Sequence, residues 1–256
     1  MTFWKNKVVL LTGASSGIGK ELALQLAQQG ATLGLIARRQ DVLDLLVQEI
    51  EKSQGRAVAL PADVRDAPVL RAVADQLRQK FGPIDVMIAN AGIGTTSHAA
   101  QYKPDDVAEV IKINLLGAAN SIAAVLPEMT TRDAGHLVAI SSLSAYRGLP
   151  KSAAYCASKA GVSSFFESVR LDLRNTRIKV TIIHPGFMRT PLTAGRKAKL
   201  PFLMEVDEAA GKILTAIEQG KKSYAFPWQL ASVVRLTMVM PNFMYDWIAA
   251  RSSFRE

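Results

Sequence analysis

The chain has 256 residues, 49% of them apolar and 21% charged, a balance typical of a folded globular chain and unlike a disordered one. Its 31 basic against 22 acidic residues give a net charge of +9, yet no basic run exceeds two residues (Arg38-Arg39, Lys221-Lys222), which argues against a nucleic-acid-binding surface. A single cysteine, Cys156, excludes an internal disulfide framework and cysteine-based zinc clusters, and His98, His136 and His184 show no ligand spacing, so no metal is expected.

The N-terminus enters an apolar strand pattern at once, with no leader-like apolar core before it. No window holds 18 uncharged apolar residues, so no spanning helix is expected and a cytoplasmic chain is. Short β-branched runs at 7–12, 32–37, 56–60, 85–89, 136–141 and 179–184 predict strands covered on both faces. Helical patterns near 17–29, 40–53, 68–81, 104–126 and 153–176 alternate with them. This alternation predicts a single-domain α/β fold over residues 1–256, a Rossmann-type doubly wound parallel sheet with helices on both faces.

The first strand runs straight into Thr12-Gly13-Ala14-Ser15-Ser16-Gly17-Ile18-Gly19, where the next helix begins. Glycines there let the backbone approach a pyrophosphate, and the helix N-terminus presents unpaired N–H groups to it. Gly13, Ser15, Ser16, Gly17, Ile18 and Gly19 are therefore candidate cofactor-binding residues. At the end of the second strand an acidic residue would bond a ribose 2′-OH and repel a 2′-phosphate. The chain has Arg38 and Arg39 instead, and a guanidinium pairs bidentately with phosphate. NADP(H) is expected over NAD(H).

In the fifth helical stretch Tyr155 and Lys159 stand four residues apart and so share one face. An ammonium beside a phenol favours the phenolate. Lowering a phenol pKa by about 2–3 units takes roughly 3–4 kcal/mol of differential stabilisation. The motif supplies no base for Cys156, which is not expected to act as a nucleophile.

The Gly-x3-Gly-x-Gly spacing after the first strand, with the Tyr-x3-Lys pair, resembles the short-chain dehydrogenase/reductase family. The likeness runs over about residues 7–190. It implies that Asp63 and Val64 contact the adenine, that Asn90, Ala91 and Gly92 lie beside the adenosine ribose, and that Pro185, Gly186 and Thr190 sit near the nicotinamide carboxamide. It also implies a catalytic set. Ser142 binds the substrate oxygen, Tyr155 transfers the proton, and Lys159 also holds the nicotinamide ribose. Asn114 interrupts its helix and holds a water in a proton relay. Ser141 is the nearest rival of Ser142 and is read as a packing residue. One departure is Ser16, where many NADP-preferring relatives carry a basic residue, so the cofactor preference rests on Arg38 and Arg39.

The reaction implied is hydride exchange between nicotinamide and a carbonyl or alcohol. The alternatives are an isomerase, epimerase or dehydratase on the same site, or a non-catalytic NADP-binding sensor. A substrate loop is expected at about 187–206, rich in apolar residues that suit an apolar ketone, aldehyde or secondary alcohol. Its Arg189, Arg196, Lys197 and Lys199 are read as solvated. The family pairs the helices at 104–126 and 153–176 across a two-fold axis, so a homodimer or homotetramer is expected.

A helix near 207–219 and a strand at 223–226 precede an apolar tail at about 227–256, expected as two short helices split at Pro241. Trp and Tyr with Arg251 and Arg255 resemble an interfacial anchor. Yet the tail has only three basic residues, fewer than strong binding to anionic lipid uses. Packing over the substrate cleft or at a subunit interface is expected, with peripheral membrane contact as the alternative.

Overall fold

A parallel ladder needs apolar cover on both faces, and the short runs supply it: every residue of β1 (Val8–Thr12) and β4 (Val86–Ala89) is buried. The computed structural model describes residues 2–194 and 200–251, without the side chain of Arg251. Arg196, Lys197 and Lys199 of the loop and Arg255 of the tail lie outside the described residues. Strands β2 (Thr32–Ala37), β3 (Arg56–Pro61), β5 (Gly135–Ile140), β6 (Ile178–Pro185) and β7 (Ser223–Phe226) complete one sheet. The strand order is β3-β2-β1-β4-β5-β6-β7, with every neighbour parallel. This is the expected doubly wound fold.

Helices α1 (Gly17–Gln28), α2 (Gln40–Lys52) and α8 (Val206–Glu218) cover one face through Leu22, Leu26, Leu43 and Ile213, above Val9, Leu11 and Leu33 of the sheet. Helices α3 (Ala67–Phe81), α5 (Gly117–Ala123) and α7 (Ala153–Asp172) cover the other through Leu77, Ile122 and Phe166, against Leu10, Met87 and Leu137. Odd and even strand residues thus go to opposite layers, the period-2 rule applied on both faces. Burial at about 25 cal/mol per Å² makes these two layers the main source of stability.

The chain order reverses between β1 and β4. The loops leaving those two strands diverge there and open a crevice at the carboxyl edge of the sheet.

Two elements differ from the sequence reading. The helix expected over 104–126 is α4 (Pro104–Ile111), a π turn at Lys112–Leu116, and α5, followed by a separate α6 (Leu126–Arg132) that starts with Pro127 in its first turn. Asn114, a poor helix former, sits in the π turn. The helix expected over 153–176 ends at Asp172 in a single 3-10 turn, Leu173–Asn175. The tail forms α9 (Trp228–Val239) and α10 (Asn242–Arg251), parted at Pro241 as expected. Among the described residues, Pro104–Arg132 is the one helical stretch long and apolar enough to cross a membrane. Half of its most apolar window is buried, and Val110, Ala118 and Ile122 pack inward, so it is a core element.

Candidate active site

The crevice is closed by backbone packing. Gly13 has φ +69°, and a Cβ there would stand 2.8 Å from the Ala91 Cα, while one at Gly19 would stand 2.1 Å from the Gly13 carbonyl oxygen. Only glycine permits such an approach. Thr12 Oγ1 accepts from the backbone N–H groups of Asn90 (3.1 Å) and Ala91 (3.2 Å), and Asn90 Nδ2 donates to the Thr12 carbonyl at 3.0 Å. The two strand-end turns are thereby locked together.

Ser16, the N-cap of α1, makes no side-chain capping bond, and no acidic residue lies in the first turn. The helix therefore turns uncapped N–H groups and the positive end of its dipole toward the crevice, a cradle suited to phosphate.

The crevice is a trough of about 520 Å³. It brings together Gly13, Ser15, Ser16, Gly17, Ile18, Arg38, Arg39, Asp63, Val64, Asn90, Ala91, Gly92, Tyr155, Lys159 and Thr190. Gly19 lies beneath it rather than on its surface, and Pro185 and Gly186 line a neighbouring cavity. Arg39 Nη2 donates to Ser15 Oγ at 3.2 Å, so the arginine pair reaches the glycine turn. The Asp63 carboxylate accepts hydrogen bonds from Arg65, which hold its pKa below the usual range, and the charges of Arg65 and Arg38 add to this. Arg65 also donates to Glu109 of α4 at 2.9 Å.

At the end of β5, Ser142 caps a 3-10 turn, and its Oγ accepts from the Ser144 N–H at 3.1 Å, which leaves the hydroxyl hydrogen to be donated. Ser141 Oγ is instead bonded to the Lys159 carbonyl (3.0 Å) and to Ser163 Oγ (2.7 Å), a packing position. Lys159 is buried; its Nζ donates to the Ile140 carbonyl at 2.7 Å and lies 5.9 Å from the Tyr155 ring centroid. Burial pushes its pKa down to about 8, so at pH 7 it still carries its charge beside the phenol.

Asn114 Oδ1 accepts from the Ile93 N–H (2.8 Å), and its Nδ2 donates to the Ile93 carbonyl (2.9 Å) and to Ser158 Oγ (2.9 Å). Ser158 in turn donates to the Tyr155 carbonyl at 2.8 Å. The amide thus pins the turn after β4 to α7.

The second cavity, about 430 Å³, meets the trough at Tyr155, Gly94, Met188, Thr190 and Leu192. Ser142 lines it, and so do Leu143, Leu149, Leu230, Val233 and Val234. Its lid is anchored by backbone bonds from Arg189 N to the Met204 carbonyl and from Met204 N to the Phe187 carbonyl, both 3.0 Å. Arg189, read as solvated, is exposed and pairs with Glu205 at 2.8 Å.

His136 and His184 are buried, and burial lowers both pKa values to about 4, with Lys179 adding to this at His136 and Arg235 at His184. His98 accepts from the Ala100 N–H at the surface. Among the described residues no group of His, Cys, Asp and Glu is placed to hold a metal ion.

Sequence reasoning missed several of these groups. Thr12 could have been suspected as a polar residue ending an all-apolar strand. The ties of Arg65 to Glu109 and of Ser158 to Asn114 carry no local signal, because each spans 44 residues of chain. Arg147 and Tyr245, which join the tail to the segment after β5, are 98 positions apart and belong to no motif.

The family profile for short chain dehydrogenase matches residues 7–201. An uncharacterized oxidoreductase of Myxococcus xanthus is 41% identical over 245 residues, covering 96% of this chain and 97% of the relative. A 3-oxoacyl-[acyl-carrier-protein] reductase of Thermotoga maritima is 35% identical, covering 90% and 89%. The crystal structure of a short chain dehydrogenase/reductase from Burkholderia phymatum in complex with NAD superposes with a TM-score of 0.85 over 98% of both chains. At 24% identity it is a likeness of fold.

Proposed function

The chain belongs to the short-chain dehydrogenase family and is an oxidoreductase of that family, and from that premise we propose that it is an NADP(H)-dependent reductase of apolar ketones or aldehydes, or the corresponding alcohol dehydrogenase. The observation that carries the reading is the junction of the two cavities at Tyr155, with Ser142 and Lys159 beside it. The trough fits a dinucleotide, since its glycine floor leaves room for no side chain at Gly13 or Gly19 and its helix end is uncapped.

When bound, a nicotinamide dinucleotide supplies or accepts the hydride. The chain's own residues do the rest. Ser142 donates its hydroxyl hydrogen to the carbonyl oxygen of the substrate. Tyr155 transfers its phenolic proton to that oxygen as negative charge develops there, and the Lys159 ammonium stabilises the phenolate left behind. In the alcohol direction the phenolate takes the proton back. Asn114 keeps the turn after β4 in place, and the widened helix turn around it is where a relay water would be held.

Arg38, Arg39 and Ser15 form a cationic, hydrogen-bonding corner suited to a 2′-phosphate, and Asp63 is already committed to Arg65. The apolar lining of the second cavity favours a substrate with a hydrocarbon body. The domain reading stays that of one catalytic unit with a lid at 187–206 and a tail at 227–256, cytoplasmic and self-associating through the layer of α4, α5 and α7.

The test is a panel of ketones, aldehydes, alcohols and a 3-oxoacyl thioester, followed at the NADPH absorbance. Net, stoichiometric NADPH consumption with an apolar carbonyl supports the reading. Product formation without net NADPH change would point to an isomerase or epimerase. Binding of NADPH without turnover of any compound would point to a sensor.

A further inference from the structure

Two arginine–aromatic contacts run in opposite directions between the catalytic segment and the tail. Arg147, five residues after Ser142, places its guanidinium 4.0 Å from the ring centroid of Tyr245 on α10. Arg235 on α9 places its own 5.8 Å from the ring of Tyr146. The Tyr146 ring lies 5.0 Å from that of His184, one residue before the Pro-Gly pair.

Arg147 does more than stack. Its Nη1 donates to the carbonyls of Thr237 and Met240, the latter at 3.0 Å, and its Nη2 donates to Asn242 Oδ1 at 2.9 Å. Tyr245 closes the arrangement by donating its hydroxyl to the Gly148 carbonyl. Thr237 and Met240 stand at the carboxyl end of α9, where the helix dipole favours a cation. One side chain therefore caps α9, holds the first residue of α10 and packs on the ring of Tyr245.

Those helices wall the second cavity through Leu230, Val233, Val234 and Ile248. Their outer faces leave Trp228 at 72% exposure, Val239 at 81% and Phe243 at 75%, so burial of these large side chains does not hold the pair down. The polar staple at Arg147 ties the helix pair down at the bend between its members.

We propose that Arg147 is a specificity-determining positioning residue that latches α9 and α10 over the cavity and so gives it the depth to hold a long apolar carbonyl compound. Its charge serves the latch and is not a receptor for an acidic substrate. This rests on the reading of that cavity as the substrate site. The latch itself stands or falls by a measurement that needs no turnover.

That measurement is hydrogen exchange of the full chain, comparing Arg147→Ala, Arg147→Lys and Tyr245→Phe with the parent. Losing a set of charge-assisted bonds should speed exchange in 228–251 by about tenfold or more in Arg147→Ala, with residues 8–37 unchanged. Tyr245→Phe keeps the ring and loses only the bond to Gly148, so its effect should be smaller. Arg147→Lys should recover part of the protection.

In kinetics with NADPH, Arg147→Ala should raise KM for dodecanal by about tenfold, while kcat and the KM for butanal stay near the parent values. Unchanged tail exchange in Arg147→Ala overturns the latch whatever the kinetics show. Equal KM increases for butanal and dodecanal overturn the specificity role. A loss confined to an aldehyde bearing a carboxylate, with tail exchange unchanged, makes Arg147 an anion receptor and overturns the proposal. If the parent reduces neither aldehyde, the reading of the site fails while exchange still decides the latch. If Arg147→Ala does not fold, Tyr245→Phe carries the same two measurements.

Discussion

The trough and the cavity share a wall at Tyr155 but are held in different ways. In the trough, positions are set by backbone atoms: Thr12 bonded to the amides of Asn90 and Ala91, Asn114 bonded both ways to Ile93, and two glycines with no space for a Cβ. In the cavity, the walls are aliphatic side chains on a lid and two tail helices, fixed by backbone bonds at the lid and by arginine–aromatic contacts at the tail. A surface that receives phosphate with main-chain N–H groups tolerates few residue types. A surface that receives hydrocarbon needs volume and little else, and many sequences provide it.

The comparison is tested most severely at the shared wall. Tyr155→Phe removes one hydroxyl and should lower kcat by about a thousandfold while NADPH affinity, measured by fluorescence titration, stays unchanged. Substantial turnover in that variant would mean that the proton comes from elsewhere.

On the trough side, Gly19→Ala should cost about 3 kcal/mol in denaturant unfolding and abolish measurable NADPH binding, because its Cβ meets a backbone oxygen that cannot swing aside. A neutral result would show that the turn is looser than its geometry.

One residue before Pro185 of the cavity wall stands His184, buried and neutral, with its counterpart His136 at the far end of the sheet. Both have folded pKa values of about 4 against an ordinary 6.5. The unfolded chain takes up protons first as pH falls. Stability is therefore intact above about pH 6.5 and declines down to about pH 4, by up to about 3 kcal/mol per histidine. Urea melts across that range, repeated on His136→Gln, should show a clearly shallower decline in the variant.

The smallest effect is the cofactor choice. Arg38→Asp should narrow or invert an NADPH-over-NADH preference of about tenfold to a hundredfold, read by titration with both. An unaltered ratio would leave discrimination to Arg39 and Ser15.

The contrast also explains what the sequence could say in advance. Strand positions, the sheet and the glycine turn were legible because each rests on a period or a spacing within about a dozen residues. The same holds for Tyr155 and Lys159, one helical turn apart. Ser142, Asn114 and the Asn90–Gly92 turn are separated along the chain, and only the family resemblance assembled them. The break in the helix at 112–116 and the early end at Asp172 were not legible, because apolar periodicity continues through both points and tertiary contacts decide them. In the sequence Tyr245 reads as an apolar tail residue of interfacial-anchor type, and Arg147 gives no signal. The polar contact between them exists only after the whole domain has folded.

The lid joins the two regions in another sense. Thr190 lies 3.4 Å from where a side chain on Gly17 would begin, and Leu192 lines both the trough and the cavity, 3.2 Å from the same point on Gly94. A single stretch of chain therefore roofs both compartments, and the ligand in the trough becomes part of the floor on which the second ligand rests. On the function proposed above, an ordered sequence is expected, with the dinucleotide entering before the organic substrate and leaving after the organic product.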